Sequence, residues 1–213
     1  MRGWAAGVGL TLLLLSGSSD AADTRLVDMV LGEVGTTPIM LSEVALARAL
    51  GLLGLEPSAG PITDADVTRY LDAQLAVREA AQLAIEVSAA DVDRAWELVG
   101  GASLAARLEA VAIDPAWARH LVEVNLRVER FIDLRFRDFA FVTDFDVDAA
   151  LGPGPHDEAE RARTRERLRA DMVAKAFASW KDDARRRTPV HLVPGVSGPW
   201  PAPFTLGAQL GGK

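Results

Sequence analysis

One short formula, written three times, constrains this chain more than any other feature. It reads ITDADV at 62–67, VSAADV at 87–92 and VTDFDV at 142–147. Each time an apolar residue precedes Thr or Ser, Asp follows three positions later, and Val comes next. With Thr63, Ser88 and Thr143 as helix N-caps, Asp66, Asp91 and Asp146 fall at the third helical position. A carboxylate there reaches back to the cap's own backbone N–H, as in a capping box. Ile62 with Val67, Val87 with Val92, and Val142 with Val147 are then spaced as hydrophobic staples. The acidic groups also suit the positive end of a helix dipole. AIDPAW at 112–117 adds a fourth start, with Asp114 as cap and Pro115 at the first helical position, where no N–H is needed. The aspartates are therefore read as caps, in preference to metal ligands or acid–base pairs.

Between these starts the apolar spacing is helical. Val67, Leu71 and Leu75 share a face of a helix running toward Ile85. A short helix over 89–99 stops at Gly100-Gly101. From Pro115 the stripe Trp117, Leu121, Val124, Val128 and Ile132 predicts a long helix reaching about Phe136. The last helix starts near Asp157, carries Leu168, Met172, Ala176, Trp180 and Ala184 at spacings of four, and closes at RTP, 187–189. Two places read as extended. DMVLGEVGTTPIML (28–41) predicts a hairpin followed by a helix capped by Ser42. PVHLVP (189–194) predicts an edge strand. A hairpin alone is marginal and a third strand stabilises it, so the two ends are expected to meet. The expected fold is mainly α, with a small β-sheet made by an N-terminal hairpin and a C-terminal strand.

The 213 residues suffice for one sizeable domain or two small ones. Their 49% apolar and 25% charged content supports a core. A net charge of −7 argues against nucleic acid as the main partner. The absence of cysteine removes disulfides, thiol nucleophiles and thiolate zinc sites. At the N-terminus, MRGWAAGVGLTLLLLSGSSDAAD has one arginine, an apolar run from Trp4 to Leu15, and Ser19 and Ala21 at −3 and −1 of a cleavage after Ala21. This is the layout of a secretory signal peptide over 1–21, with an uncleaved anchor as the other reading. The run is short for a bilayer span, and no stable membrane span is expected after cleavage. The Gly- and Pro-rich stretch 194–213 is expected to be a mobile tail, in which Trp200 and Phe204 are candidates to fill an apolar groove.

No catalytic constellation emerges. His120, His156 and His191 lack metal-ligand spacing, and no G-x-S-x-G elbow occurs. GAQLGGK at 207–213 lacks the hydroxyl residue and the following helix of a phosphate loop. Arginines at 161, 163, 165, 167 and 169 interleave with Glu158, Glu160 and Glu166, which reads as a solvated helix face. The aromatics at the end of the long helix are more informative. Phe131 and Phe136 can share the core with Ile132, whereas Phe139 and Phe141 lie at a helix break and could line a groove. Large aromatics bury more often than not. The candidate peptide-binding residues are Phe136, Phe139, Phe141 and Phe145; no catalytic, cofactor or metal residue is assigned.

Three stretches carry a resemblance. After an extended pair and Ser42-Glu43-Val44, QLAVREAAQLAIEVSAADVDRAWELV (74–99) and VERFIDLRFRDFAFVTDFDV (128–147) resemble the N-terminal chaperone domain of SurA-type periplasmic foldases. RLRADMVAKAFASWKDDARRRTPVHLV (167–193) resembles the helix and strand that, in that family, follow a parvulin-type prolyl isomerase domain and fold back on the N-terminal part. Where the family inserts the isomerase, this chain has only LGPGPHDEAE (151–160), against the order of a hundred residues such a domain needs. The resemblance implies one domain over 22–193, formed by an N-terminal part (26–150), a linker (151–157) and a returning part (158–193). It implies a periplasmic holdase for unfolded polypeptides, outer-membrane proteins among them, without isomerase activity, ATP or other cofactor. The alternatives are an exported adaptor that docks one folded partner and, third, a residual prolyl isomerase.

Overall fold

The computed structural model describes residues 28–58 and 60–203. The signal-peptide reading (1–21), Phe204 and GAQLGGK lie outside the described residues. In chain order the elements are β1 (Val30–Val34), β2 (Thr37–Met40), α1 (Leu41–Ala49), α2 (Asp64–Gln82), α3 (Ala89–Val99), α4 (Gly101–Ala110), α5 (Pro115–Arg135), a 3₁₀ turn (Arg137–Phe139), α6 (Asp144–Leu151), α7 (Glu158–Arg187) and β3 (Val190–Leu192).

The two ends of the described chain meet in one sheet of order β2-β1-β3, antiparallel throughout. Gly32, Glu33 and Val34 of β1 face Leu192, His191 and Val190 of β3. The pairing extends beyond the ladder: the Gly35 N–H donates to the Pro189 carbonyl at 2.8 Å, and the Val193 N–H to that of Leu31 at 3.1 Å. At Gly32 a Cβ would lie 2.7 Å from the His191 carbonyl oxygen. That contact is with backbone and cannot swing away, so this strand position requires glycine.

The repeated formula starts helices as expected. The Thr63 hydroxyl accepts from the Asp66 N–H at 3.3 Å while the Asp66 carboxylate accepts from the Thr63 N–H at 2.9 Å. Thr143 and Asp146 repeat the reciprocal pair at 3.2 and 2.8 Å. At Ser88 the hydroxyl accepts the Asp91 N–H at 3.1 Å and donates to the Asp91 carboxylate at 2.7 Å, without the backbone half of the box. The cap hydroxyl is the main cause holding the Asp91 and Asp146 carboxyls below the ordinary range. Ile62 and Val67 are both fully buried, as a staple requires. Asp114 and Asp157 cap α5 and α7 by accepting from the Ala116 and Glu160 N–H groups at 2.8 and 2.7 Å.

Four local expectations are corrected. Ser42 is not a cap: α1 begins at Leu41, Glu43 accepts the Met40 N–H at 2.9 Å, and the Ser42 N–H and hydroxyl go to Asp28. Gly100 ends α3 with φ at 127°, yet Gly101 immediately opens another helix, α4. On α7, Met172 and Ala176 face solvent, and the inward line runs through Thr164, Val173, Phe177, Trp180 and Ala184. A strict spacing of four advances about 40° per step around a 3.6-residue helix, so it leaves the buried face within a few turns. The expected mobile tail is pinned over its first ten residues. Trp200 is buried, its backbone exchanges hydrogen bonds of 2.8 and 2.9 Å with Ile62, and the Gly198 N–H caps onto Asp64 at 2.9 Å. A large indole and two otherwise unpaired backbone groups at Ile62 outweigh the local Gly/Pro composition there.

The core lies between the sheet, α1, α2 and α5, with Leu31, Leu41, Leu46, Ile62, Tyr70 and Phe131 among its deepest side chains. Arg48 is buried with them. Its guanidinium donates to the Pro61 carbonyl at 2.7 Å, to Asp66 at 3.1 Å and to the Gly60 carbonyl, fixing the 60–61 turn to the start of α2. Burial pushes the Asp66 carboxyl up, but the Thr63 hydrogen bonds and the Arg48 charge outweigh it, and the net direction is down. No helix of the described residues is long and apolar enough to cross a membrane.

Between α6 and α7, His156 bridges the joint. Its Nδ1 lies 3.2 Å from a Glu160 carboxylate oxygen and its Nε2 3.2 Å from the Gly152 carbonyl. Both partners are acceptors, so only the imidazolium satisfies both. The Glu160 hydrogen bond, then that to Gly152, raises the imidazole above its ordinary 6.5.

Two predictions follow from these contacts. Gly32→Ala is expected to destabilise the fold by about 1–3 kcal/mol, the range for overpacking, in urea unfolding, with amide exchange at Val190–Leu192 rising first. The raised imidazole makes the His156 contribution complete below 6.5 and lost as pH rises through the raised value. Protection factors over Asp144–Leu151, taken relative to the base-catalysed intrinsic exchange rate, should therefore fall through that window, and His156→Ala should remove that fall.

Candidate functional site

The end of α5 sorts its phenylalanines onto two sides. Phe136 follows the last helical residue with φ −124° and ψ −48°, and the 3₁₀ turn re-aims the chain before Thr143 caps α6. Phe131 and Phe136 point inward and meet α7. Ring centroids are 5.8 Å apart for Phe131–Phe136, 5.0 Å for Phe131–Trp180 and 5.6 Å for Phe136–Phe177, and Phe177 stacks on Trp180 at 5.4 Å. This four-ring cluster fastens the returning helix to α5. Phe136, 8% exposed, belongs to it and shares the core with Phe131 as expected, so its ring is not on the surface with the other three candidates.

The other three candidates are outside. Phe139, Phe141 and Phe145 are 70%, 72% and 80% exposed. Burial, the commoner fate of such residues, is not theirs. Phe139 borders an open hollow of about 330 Å³ lined also by Leu83, Ile85, Phe131, Leu134 and Arg135. Leu83, just past the end of α2, and Leu134 on α5 are both exposed. Phe141 and Phe145 do not line this hollow; they continue the apolar series along the 139–145 segment toward and into α6. Sequence reading missed Leu83 and Leu134, because each is one leucine at the end of an otherwise amphipathic helix and only the tertiary pairing of α2 with α5 brings them together.

Two further concavities are present, the first sharing Arg135 with this hollow. One of about 350 Å³ is lined by Arg135, Trp180, Asp183, Arg186 and Arg187. The other, about 340 Å³, runs between α2, α5 and α7 over Leu53, Val128, Ile132 and Phe177. It is crossed by ion pairs from Lys181 and Arg185 to Asp72, at 3.4 Å and, for the Arg185 Nε, 2.8 Å. These pairs bind the second half of α7 to α2. The arginine-rich first half is tied instead to α6, where Arg161 pairs with Asp148 and Arg165 with Asp144 at 2.6 Å. The sequence reading of this run as a solvated face therefore holds for Arg163 and Arg167, while Arg161 and Arg165 serve as struts.

The histidines do not converge. His120 lies on α5 beside Glu123 at 3.6 Å, His156 at the α6–α7 joint and His191 in β3. Among the described residues no group of three His, Asp or Glu side chains is placed to hold a metal ion.

Neither protein-family models nor curated protein sequences give a match to this chain.

The two sides of the break separate in mutagenesis. Phe136→Ala should cost about 3–5 kcal/mol, as truncation of a buried aromatic does. Phe139→Ser should stay within about 0.5 kcal/mol, as for exposed positions. Paired urea melts check both.

Proposed function

We propose that the protein is an exported, periplasmic holdase-type chaperone that binds unfolded polypeptide segments, outer-membrane proteins among them, without isomerase activity. The observation that carries this reading is the run of three solvent-exposed phenylalanines, Phe139, Phe141 and Phe145, of which Phe139 borders an open apolar hollow. Exposed apolar series of this kind mark interaction sites. The resemblance to SurA-type foldases supports the same reading, as does the joint between α6 and α7, where six residues, 152–157, stand in place of an isomerase domain.

The energetics suit holding. Burying one phenylalanine contributes about 2 kcal/mol, and ordering a disordered segment costs about 2–5 kcal/mol. Three rings then leave about 1–4 kcal/mol, which corresponds to dissociation constants of about a millimolar or weaker for one segment. Such contacts release quickly, and retention of a client depends on several of them acting together. The net charge of −7 keeps the loaded complex soluble.

The test uses residues 22–213 with a urea-denatured outer-membrane protein diluted into buffer and followed by light scattering. Stoichiometric protein should suppress aggregation. The triple variant Phe139→Ser, Phe141→Ser, Phe145→Ser should lose most of the suppression while keeping the wild-type melting temperature. Absence of suppression by the wild type across a range of ratios would defeat the proposal. Recovery of one folded partner at fixed stoichiometry would favour an adaptor instead.

A further inference from the structure

We propose that the hollow beside Phe139 and the arginine cleft adjoining it form one two-part site, selecting polypeptide segments in which an apolar side chain is flanked by carboxylates. The proposal rests on the client-holding reading and adds a client chemistry to it.

Arg135 joins the two parts, since it lines both the hollow and the cleft. Its guanidinium lies 5.9 Å from the centroid of the Phe131 ring and gives one N–H to Glu79, which leaves its other N–H groups to donate. On one side are Leu83, Ile85, Leu134 and Phe139, all apolar. On the other, three arginines (Arg135, Arg186 and Arg187) line the cleft with Trp180 and one carboxylate, Asp183. Asp183 is taken up by Arg186. The other acid in contact is Glu79, which reaches Arg135 at 3.5 Å across a partly exposed pair. None of the ion pairs among the described residues includes Arg187. The cleft therefore has cationic hydrogen-bonding capacity in excess of its internal acids, and guanidinium forks match carboxylates in geometry.

The sign of this patch is opposite to that of the chain, whose net charge is −7. An acidic segment is repelled by most of the surface and attracted here, so electrostatics gives register to a contact that apolar burial alone leaves unoriented. A lysine-flanked segment has the reverse preference and gains nothing at this place.

The experiment is fluorescence anisotropy of three labelled peptides with the same Leu-Phe-Leu centre and flanks of glutamate, glutamine or lysine. At low salt the glutamate peptide should bind about fivefold more tightly than the glutamine peptide, the worth of one good partly exposed ion pair, and the lysine peptide more weakly than either. The double variant Arg135→Gln, Arg187→Gln should bring glutamate and glutamine peptides to equal affinity. The single variant Arg187→Gln, at an exposed helix end, should reduce the ratio by itself with the melting temperature unchanged. Salt near 1 M, where screening acts over about 3 Å, should erase the ratio in the wild type. Equal affinity of the glutamate and glutamine peptides, or a preference that survives in the double variant, overturns the two-part site and leaves the apolar reading standing. Failure of all three peptides to bind overturns both.

Discussion

The backbone pairing of β3 with β1 is the contact on which the rest of the body depends. It joins residues about 160 positions apart, so its loop-closure cost is met only when the intervening helices have packed. At Gly32 the backbone of β3 leaves no room for a Cβ. Once β3 is held, α7 must run back across α2 and α5, and that path brings Phe177 and Trp180 onto Phe131 and Phe136. Sheet closure and the four-ring cluster are thus two ends of one constraint. Each fixes the helix that the other needs.

That constraint reaches only part of α7. Its second half is fastened by aromatic rings and by Asp72, whereas its first half leans on α6 through arginine–aspartate pairs. On the α6 side, exposed charge adds to buried apolar residues, Ala140 and Val147, which lie outside the main core cluster, and exposed pairs contribute little individually. The molecule accordingly has a large packed body and a smaller α6–α7 arm. The exposed phenylalanines lie where the arm leaves the body.

Much of this arrangement was legible from residues alone. The caps at Thr63 and Thr143, the hairpin, the edge strand and the meeting of the ends follow from short-range rules, because caps and turns are decided by a few adjacent groups. What escaped depended on distant partners. Composition gave 194–203 no reason to settle, yet Trp200 finds Ile62. Gly100-Gly101 reads as a stop and proves to be a corner between α3 and α4. At the candidate surface, the division of Phe131 and Phe136 from Phe139 and Phe141 at the helix break was legible, and exposure follows it. Leu83 and Leu134 became visible only when α2 and α5 were placed side by side.

The joint between α6 and α7 has one more implication. Pro153, Gly154 and Pro155 are exposed, and His156 with Gly152 closes the turn behind them. The neighbouring helix ends are fixed by their own pairs, so the body does not depend on how many residues pass through this point. Doubling the length of a flexible loop costs only about 0.6 kcal/mol. A whole folded module could be spliced in here and carried on the outside, beside the surface that would hold a client, without asking the sheet or the aromatic cluster to adjust.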